Sequence, residues 1–479
     1  MRENGDRGIM RKNLIFLHLE SISNTILWQY RAELATIWQL MNQSFRYTRF
    51  FSSSVSTDTV LDELLFGASD AYDGAPLYAE RNDLTNPALR NNLKMTSLSL
   101  FSFIERYGYF NFVEYPWCNG IETGTHLYHP DLNYVVSRMK EKMRRSAAYD
   151  VPFMFHFRVC VSHMAYDDPV KIQAKTFSER FKLGYLRQDQ AVQMALAAIA
   201  ELGLLEKSII VCYGDHGDEL WSHGLNKGYC HATIPYGSLC WVPLFIYEHG
   251  CPPGESDRLI STIDLRESLI RRLVPDFDPT AFQLSNPMKN RWGGTVPLPP
   301  EWPDSGHLPS FRESPFNGID ALNETRELAF TQNLFALQLE YSDLEQGLTK
   351  GYSVTDGTYR VVVSSGGRNT KNGGVEFFCD LLDPFNSRNL LDFFKLDLKG
   401  EIIEFYPPAE ASSREFSLMF NSEAVEHLKK TYSRLKAALH EYVRSKEEKA
   451  SRFIGDRKHH VMPEYVFRHS RKRQLLDRM

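Results

Sequence analysis

The stretch 208–219, SIIVCYGDHGDE, constrains the fold of this chain more than any other. Its first half is a short apolar run, which is typical of a strand buried on both faces of a parallel sheet. The run ends at Asp215 and His216, at the carboxyl end of the strand, where sites form in open α/β sheets. An adjacent carboxylate and imidazole can share a divalent cation. An ordinary polar turn has the same residues, so a metal site requires matching groups from other segments.

Composition limits the classes to which the chain can belong. Its 479 residues are 43% hydrophobic and 24% charged, which predicts a globular protein with one large domain and a smaller one. A net charge of −5 gives no electrostatic case for nucleic acid, so we expect no nucleic-acid partner. Seven cysteines without C-x-x-C spacing favour free thiols. Without an apolar leader or a run of about 18 apolar residues, we expect a cytoplasmic protein with no transmembrane segment.

A second apolar run, NLIFLHLES at 13–21, also ends on an acidic residue, Glu20. The similarity to the Asp215 stretch makes Glu20 a candidate metal ligand from a neighbouring strand end. A helix cap or a turn carboxylate is the alternative. His18 lies inside this strand, and we interpret it as a hydrogen-bonded core histidine.

A hydroxyl-rich loop at 50–59, FFSSSVSTDT, leads into an apolar stretch that stops at Gly67. Serine and threonine at a helix start ordinarily cap its free N–H groups. A hydroxyl there could also act as a nucleophile, because the helix terminus stabilises an anion and a metal could lower the pKa of the hydroxyl. Position alone leaves both interpretations open.

Taken together, these segments resemble the alkaline phosphatase superfamily, and specifically its sulfatase-like branch. That branch places a nucleophile ten residues before the glycine of a Leu-Leu-Thr-Gly helix end, and Thr57 stands ten residues before Gly67 in Leu64-Leu-Phe-Gly67. Thr57 is therefore the candidate nucleophile, with Thr59 as the alternative. The later S-D-H-G-E motif is matched by GDHGDE at 214–219. The resemblance implies an α/β three-layer sandwich with a mixed, mainly parallel central sheet.

Further segments follow in the order of that branch, over residues 12 to 392. The strand at 152–163 ends in His163, the helix at 185–204 precedes the Asp-His strand, and the strand pair at 356–384 resembles a small carboxy-terminal α+β subdomain. We expect a catalytic domain at 1–345 with a Pro-rich excursion at 286–310, the small subdomain at 346–420, and an amphipathic helix with a basic tail at 421–479.

Two departures separate this chain from the sulfatases within the branch. Sulfatases carry paired aspartates after the first strand and a cysteine or serine that becomes formylglycine, whereas this chain has Glu20-Ser21 and Thr57. Threonine cannot form that aldehyde. The pattern instead resembles lipoteichoic acid synthases and phosphoethanolamine transferases, which work through a phosphothreonine. The resemblance implies one manganese or zinc ion held by Glu20, Thr57, Asp215 and His216.

The same resemblance implies donors for the oxygens of the transferred group. His163 is one candidate. A further donor would be His231, in the segment GYCHATIP, or Lys227, which matches a lysine that sulfatases carry before their Val-Pro strand. Both remain open.

The function expected from these residues is a metal-dependent phosphotransferase or phosphodiesterase, acting on a phospho-alcohol or a glycan-linked ester. A sulfatase with an unmodified threonine and an inactive binding protein that keeps the fold are the alternatives. The two transferase families sit in membranes by several helices that are absent here. The basic tail at 468–473, RHSRKR, would allow only peripheral contact with a membrane.

Overall fold

The described part of the chain, in a computed structural model, carries both strand ends that the sequence singles out. It comprises residues 12–55, 57, 60, 64, 110–114, 132–149, 151–158, 175–220, 222, 234–273, 319–333, 350–365, 375–380, 388–397, 399–406 and 421–454.

A central sheet positions the site. Its seven described strands are β1 Asn13–Leu19, β2 Phe45–Phe51, β3 Phe110–Glu114, β4 Phe153–Arg158, β5 Ser208–Gly214, β6 Leu244–Glu248 and β7 Gly254–Ser261. They lie in the order β3-β4-β1-β5-β6-β2-β7. The pairs β3/β4, β4/β1, β1/β5 and β2/β7 are parallel, while β6 runs antiparallel to β5 and β2. The predicted mixed, mainly parallel sheet is confirmed.

Helices cover both faces of this sheet, which explains why β1 and β5 are apolar almost throughout. On one face, Leu17 of β1 shares a core with α1 Asn24–Gln29, α2 Ala35–Asn42, α3 Leu132–Ala148 and α4 Phe177–Glu201. On the other face, Phe16 and Val211 pack with Leu265 and Leu269 of α6 Thr262–Leu273. A short helix, α5 Gly237–Cys240, precedes β6. The arrangement is helix, sheet, helix.

A second, antiparallel sheet follows in the order β11-β10-β9-β8. Its strands are β8 Ala329–Asn333, β9 Lys350–Thr355, β10 Tyr359–Ser365 and β11 Val375–Asp380, and β12 Phe394–Leu396 with β13 Ile402–Phe405 forms a separate pair. The long helix α7 Ser422–Ile454 packs its apolar stripe on the larger of these sheets, through Tyr432, Leu435 and Leu439. This helix lies in the segment 421–479, for which the sequence predicts an amphipathic helix and a basic tail.

The domain boundaries stay predictions, because residues 334–349 and 407–420 lie outside the described ranges. The Pro-rich excursion at 286–310 and the basic tail at 468–473 also lie outside them. No helix among the described residues is both long and apolar enough to cross a bilayer.

Candidate functional site

The pairing of β1 with β5 brings the two predicted acidic groups together. The strands are parallel neighbours with Leu19 opposite Gly214, so that Glu20 and Asp215 leave the sheet side by side. Ser21 follows with a φ of 57°, in the left-handed region that a residue other than glycine seldom adopts. This conformation lets the Ser21 N–H donate to Oδ1 of Asp215 at 3.1 Å. The strained turn therefore fixes one carboxylate relative to the other.

Two glycines allow the chain around Asp215 to pack closely. A β-carbon at Gly214 would overlap the carbonyl of Ile22, and one at Gly217 would overlap the carbonyl of Ser238. The segment Gly214-Asp-His-Gly217 thus has glycine where neighbouring backbone leaves no space for a side chain. That close packing holds Asp215 and His216 fully buried.

Thr57 completes the group that the sequence predicts. Its hydroxyl donates to Oε1 of Glu20 at 2.9 Å and lies 2.8 Å from Nε2 of His216. The side chain is buried, and the backbone of Thr57 and Val60 is helical. The structure thus brings Glu20, Thr57, Asp215 and His216 together, and their roles as nucleophile and ligands remain predictions.

The orientation of His216 follows from its backbone contacts. Its Nδ1 lies 3.0 Å from the carbonyl oxygen of Gly217, which can only accept, so Nδ1 carries the proton and donates it there. In the neutral ring, Nε2 then presents a lone pair towards Thr57 and towards Oδ2 of Asp215, which is 3.3 Å away. This tautomer suits both metal binding and acceptance of the Thr57 proton.

Arg158, which sequence reasoning missed, is the positive partner of Glu20. It ends β4, and its buried Nε donates to Oε2 of Glu20 at 2.7 Å. This contact leaves Oε1 of the same carboxylate directed at Thr57. A charged residue that closes the apolar run PFMFHFR was a usable signal, although only the pairing of β4 with β1 shows what it meets.

His18 is not the hydrogen-bonded core histidine that the sequence suggested. Its Nε2 lies 3.1 Å from Oδ2 of Asp215 and 3.7 Å from Oε2 of Glu20, yet neither ring nitrogen makes a hydrogen bond with a described residue. The ring stacks on Tyr213, with centroids 5.0 Å apart. Because residues two apart in a strand point to the same face, His18 and Glu20 lie on the same side of the sheet.

The charges in this region fit a divalent cation. Oδ2 of Asp215 accepts no hydrogen bond from the described residues although it is fully buried. Burial and the charge of Glu20 raise the pKa of the Asp215 carboxyl, but His216 and His18 outweigh both and hold it below its usual value. A buried carboxylate oxygen without a donor is costly unless it coordinates a cation. The oxygen and nitrogen donors that meet here are of the types that manganese and zinc accept.

Three predicted substrate donors, His163, Lys227 and His231, lie outside the described residues, as does the alternative nucleophile Thr59. Asp189, in the helix before the Asp-His strand, takes a structural part. Its carboxylate accepts the backbone N–H groups of Thr36 at 3.1 Å and Ile37 at 2.8 Å, which caps the start of α2.

Comparisons with known proteins agree with this architecture. Among solved structures, a 2-O GAG sulfatase superposes with a TM-score of 0.50 at 12% identity, over 89% of this chain and 93% of the other. A sulfatase candidate from Bacteroides thetaiotaomicron gives 0.51 at 12% identity, with the same coverage. The lipoteichoic acid synthase LtaP from Listeria monocytogenes gives 0.47 at 14% identity, over 74% and 84%. A comparison with curated protein sequences returned no match.

The family itself is given by the sequence match. Residues 12–273, more than half of the chain, match the family model named Sulfatase. That span runs from the start of β1 to the end of α6 and contains every residue of the site described above. The protein therefore belongs to the sulfatase family and is a sulfatase-like hydrolase of the alkaline phosphatase superfamily.

Proposed function

We propose that this protein is a metal-dependent phosphodiesterase or phosphotransferase that works through a phosphothreonine at Thr57. The observation that carries the proposal is the position of the Thr57 hydroxyl, 2.9 Å from Oε1 of Glu20 and 2.8 Å from Nε2 of His216. A hydroxyl is a weak nucleophile until a base or a metal withdraws its proton. Here its single proton has two acceptors within reach.

The residues that would hold the metal are Glu20, Thr57, Asp215 and His216. When bound, a divalent cation would lower the pKa of the hydroxyl and neutralise charge on the transferred group. Arg158 fixes Glu20 through Oε2 and thereby keeps Oε1 directed at Thr57. The orientation needed for attack is thus set by protein contacts before substrate arrives.

The chemistry at Thr57 takes two steps. In the first, Oγ1 forms a bond to phosphorus and the bond between phosphorus and the alcohol oxygen breaks. The hydroxyl proton of Thr57 passes through an acceptor beside it to the leaving alcohol. In the second, water or another alcohol attacks the phosphothreonine and restores the Thr57 hydroxyl. Water gives hydrolysis and an alcohol gives transfer, so one site supports either reaction.

Two features favour phosphorus over sulfur. Thr57 cannot become formylglycine, and Ser21 stands where the sulfatases carry their second aspartate. Membership of the sulfatase family favours the alternative, a sulfate ester attacked by unmodified threonine.

For the alcohol part of the substrate we propose a glycan or a polysaccharide precursor. We also propose a cytoplasmic location, which is supported by the buried free thiols of Cys212 and Cys240.

The test is turnover of bis(p-nitrophenyl) phosphate and p-nitrophenyl sulfate by the protein loaded with manganese or zinc. We expect cleavage of the diester, none by Thr57→Val, and partial activity in Thr57→Ser, which keeps a hydroxyl. Mass spectrometry of a stopped reaction should find a phosphoryl adduct on the peptide that contains Thr57. Cleavage of the sulfate alone would establish the alternative substrate, and absence of any turnover would favour a binding protein.

A further inference from the structure

His18 is a buried side chain that the proposed ligand set leaves without a function. It lies in β1, and neither of its ring nitrogens makes a hydrogen bond with a described residue. A buried polar group is expected to have a partner, because an unmade hydrogen bond costs free energy in the folded state. Its Nε2 lies 3.1 Å from Oδ2 of Asp215 and 3.7 Å from Oε2 of Glu20.

The spacing of these donors suits a shared metal ion. The ligand atoms of His18, Glu20 and Asp215 all lie within 4.8 Å of one another. Two donors that each lie about 2.0–2.2 Å from one zinc ion can be no more than about 4.4 Å apart, whatever the coordination number. Both distances from Nε2 of His18 lie below that limit.

Neighbouring rings fix the direction of the imidazole. His18 stacks on Tyr213 at an interplanar angle of 16° and packs edge-on against His156, with centroids 5.6 Å apart. His156 and Tyr213 are held to each other by a hydrogen bond of 2.9 Å. These contacts keep Nε2 of His18 turned towards the carboxylates, as a ligand must be before metal arrives.

We propose that His18 is an additional ligand of the metal centre, which makes it a two-histidine site of His18, His216, Glu20, Asp215 and Thr57. The inference rests on the proposed function, because that proposal places a metal in this site. A second imidazole favours zinc over manganese, since imidazole nitrogen suits zinc whereas manganese is suited by carboxylate and water oxygen.

The first experiment needs no variant. X-ray absorption at the zinc edge of the zinc-loaded wild-type protein counts the imidazoles bound to the metal. We expect two. One imidazole would overturn the two-histidine site, and the His18→Gln variant would then show which histidine binds the metal.

The second experiment compares His18→Gln with His156→Gln, a matched substitution of the neighbouring buried histidine. Zinc and manganese affinities are measured by competition with a chelator, after circular dichroism has shown that both variants are folded. Loss of an outer partner of a ligand typically costs about 10–100-fold in affinity. For His18→Gln we therefore expect a loss of about 100-fold or more for zinc and a smaller loss for manganese. Equal losses in the two variants, or for the two metals, would contradict the inference.

The outcome also separates this inference from the function on which it rests. A wild-type protein that binds neither zinc nor manganese would overturn both. A protein that binds zinc through one imidazole and cleaves the diester in a Thr57-dependent manner would overturn only the two-histidine site. The Glu20→Gln variant serves as the reference for loss of metal, because both proposals require that carboxylate.

Discussion

Two buried aspartates follow strands of the same sheet, and their surroundings are opposite. Asp264, after β7, accepts two bonds from Arg326, at 2.7 and 2.5 Å, and backbone N–H groups of Ser261 and Ile319. From the described residues, Asp215, after β5, accepts two backbone N–H groups, both on Oδ1. Its Oδ2 instead faces imidazole nitrogens. Both carboxylates are completely buried, so burial does not distinguish them.

The difference shows how a structural carboxylate can be separated from a functional one. A carboxylate whose oxygens already accept hydrogen bonds from a guanidinium and from backbone amides is poorly placed to bind a ligand. Its role is to stabilise the fold. A buried carboxylate with one oxygen that accepts no hydrogen bond from the described residues and lies beside imidazole nitrogens can still bind a metal ion. Asp189 follows the structural pattern, with both oxygens on amides of α2. By this criterion the carboxyl end of β5, and not the start of α6, is the candidate site.

The largest expected effect is that of Thr57→Val, which keeps the volume of the side chain and removes the hydroxyl. Loss of a nucleophile can cost about 10⁶-fold in rate, so we expect diester turnover to fall by about 10⁴-fold or more. The measurement is steady-state turnover of bis(p-nitrophenyl) phosphate, with thermal unfolding as the check on folding. Turnover within tenfold of wild type would mean that Thr57 is not the nucleophile and would direct attention to Thr59.

The two aspartates can be exchanged for asparagine to test the contrast directly. In Asp264→Asn the guanidinium of Arg326 loses its charged partner, and breaking a buried pair costs about 3–5 kcal/mol. In Asp215→Asn the amide oxygen can still accept from the N–H groups of Ser21 and His216. We therefore expect the free energy of unfolding of the metal-free protein to fall much more in Asp264→Asn, measured by urea denaturation.

Metal content should show the reverse order. Asp215→Asn removes a charged ligand and is expected to lose the metal and the turnover, whereas folded Asp264→Asn keeps both. Metal analysis of the two purified variants makes the comparison. If both lost the metal equally, or if Asp215→Asn were the less stable in metal-free form, the two carboxylates would not differ in the way the contacts indicate.

The sequence could predict those site residues whose position follows from the pattern of one continuous segment. Apolar runs that end on Glu20 and on Asp215-His216 indicate parallel strands with polar ends, and such ends meet at one edge of a sheet. Thr57 required the resemblance to a family, because hydroxyl-rich helix starts are common. Arg158 and His18 were missed for a different reason. Their partners depend on strand order: the pairing of β4 with β1 sets Arg158 beside Glu20, and the pairing of β1 with β5 sets His18 beside Asp215.

Arg158 and Arg326, the buried arginines that pair with Glu20 and Asp264, extend the comparison with a smaller expected effect. Arg158→Lys keeps the charge beside Glu20 but loses the planar donor that fixes the carboxylate, and we expect about 10–100-fold weaker metal binding. Arg326→Lys makes the same change at Asp264 and should lower the unfolding free energy without altering metal affinity. Zinc competition and urea denaturation on both variants provide the test. Weaker metal binding in Arg326→Lys would show that the two pairs are not independent.

The smallest effect is expected at Glu248, the last residue of β6, whose side chain is 12% exposed and pairs with two more exposed cations. It lies 2.8 Å from Lys12 and 2.8 Å from Arg272, whose side chain is 48% exposed. Burial raises the pKa of Glu248. The hydrogen bonds and charges of Lys12 and Arg272 together have a larger, opposite effect, so the pKa lies below its usual value of 4.5. A carboxyl whose pKa is lower in the folded state stabilises the protein above its unfolded pKa and loses that effect as pH falls. Its stabilisation is thus complete at neutral pH and declines below about pH 4.5.

The matching variant is Glu248→Gln, which removes the charge and keeps the shape of the side chain. Ion pairs with exposed partners contribute about 0–1 kcal/mol. We expect the unfolding free energy of the variant to lie no more than about 1 kcal/mol below that of wild type at pH 7. The difference should shrink as the pH falls towards 3, and metal content should not change. Urea denaturation at several pH values measures this, and a difference that grew in acid would reverse the sign of the linkage. If the expected result is obtained, three carboxylates differ according to the atoms that their oxygens contact. Asp215 binds metal, Asp264 stabilises the fold, and Glu248 contributes little to either.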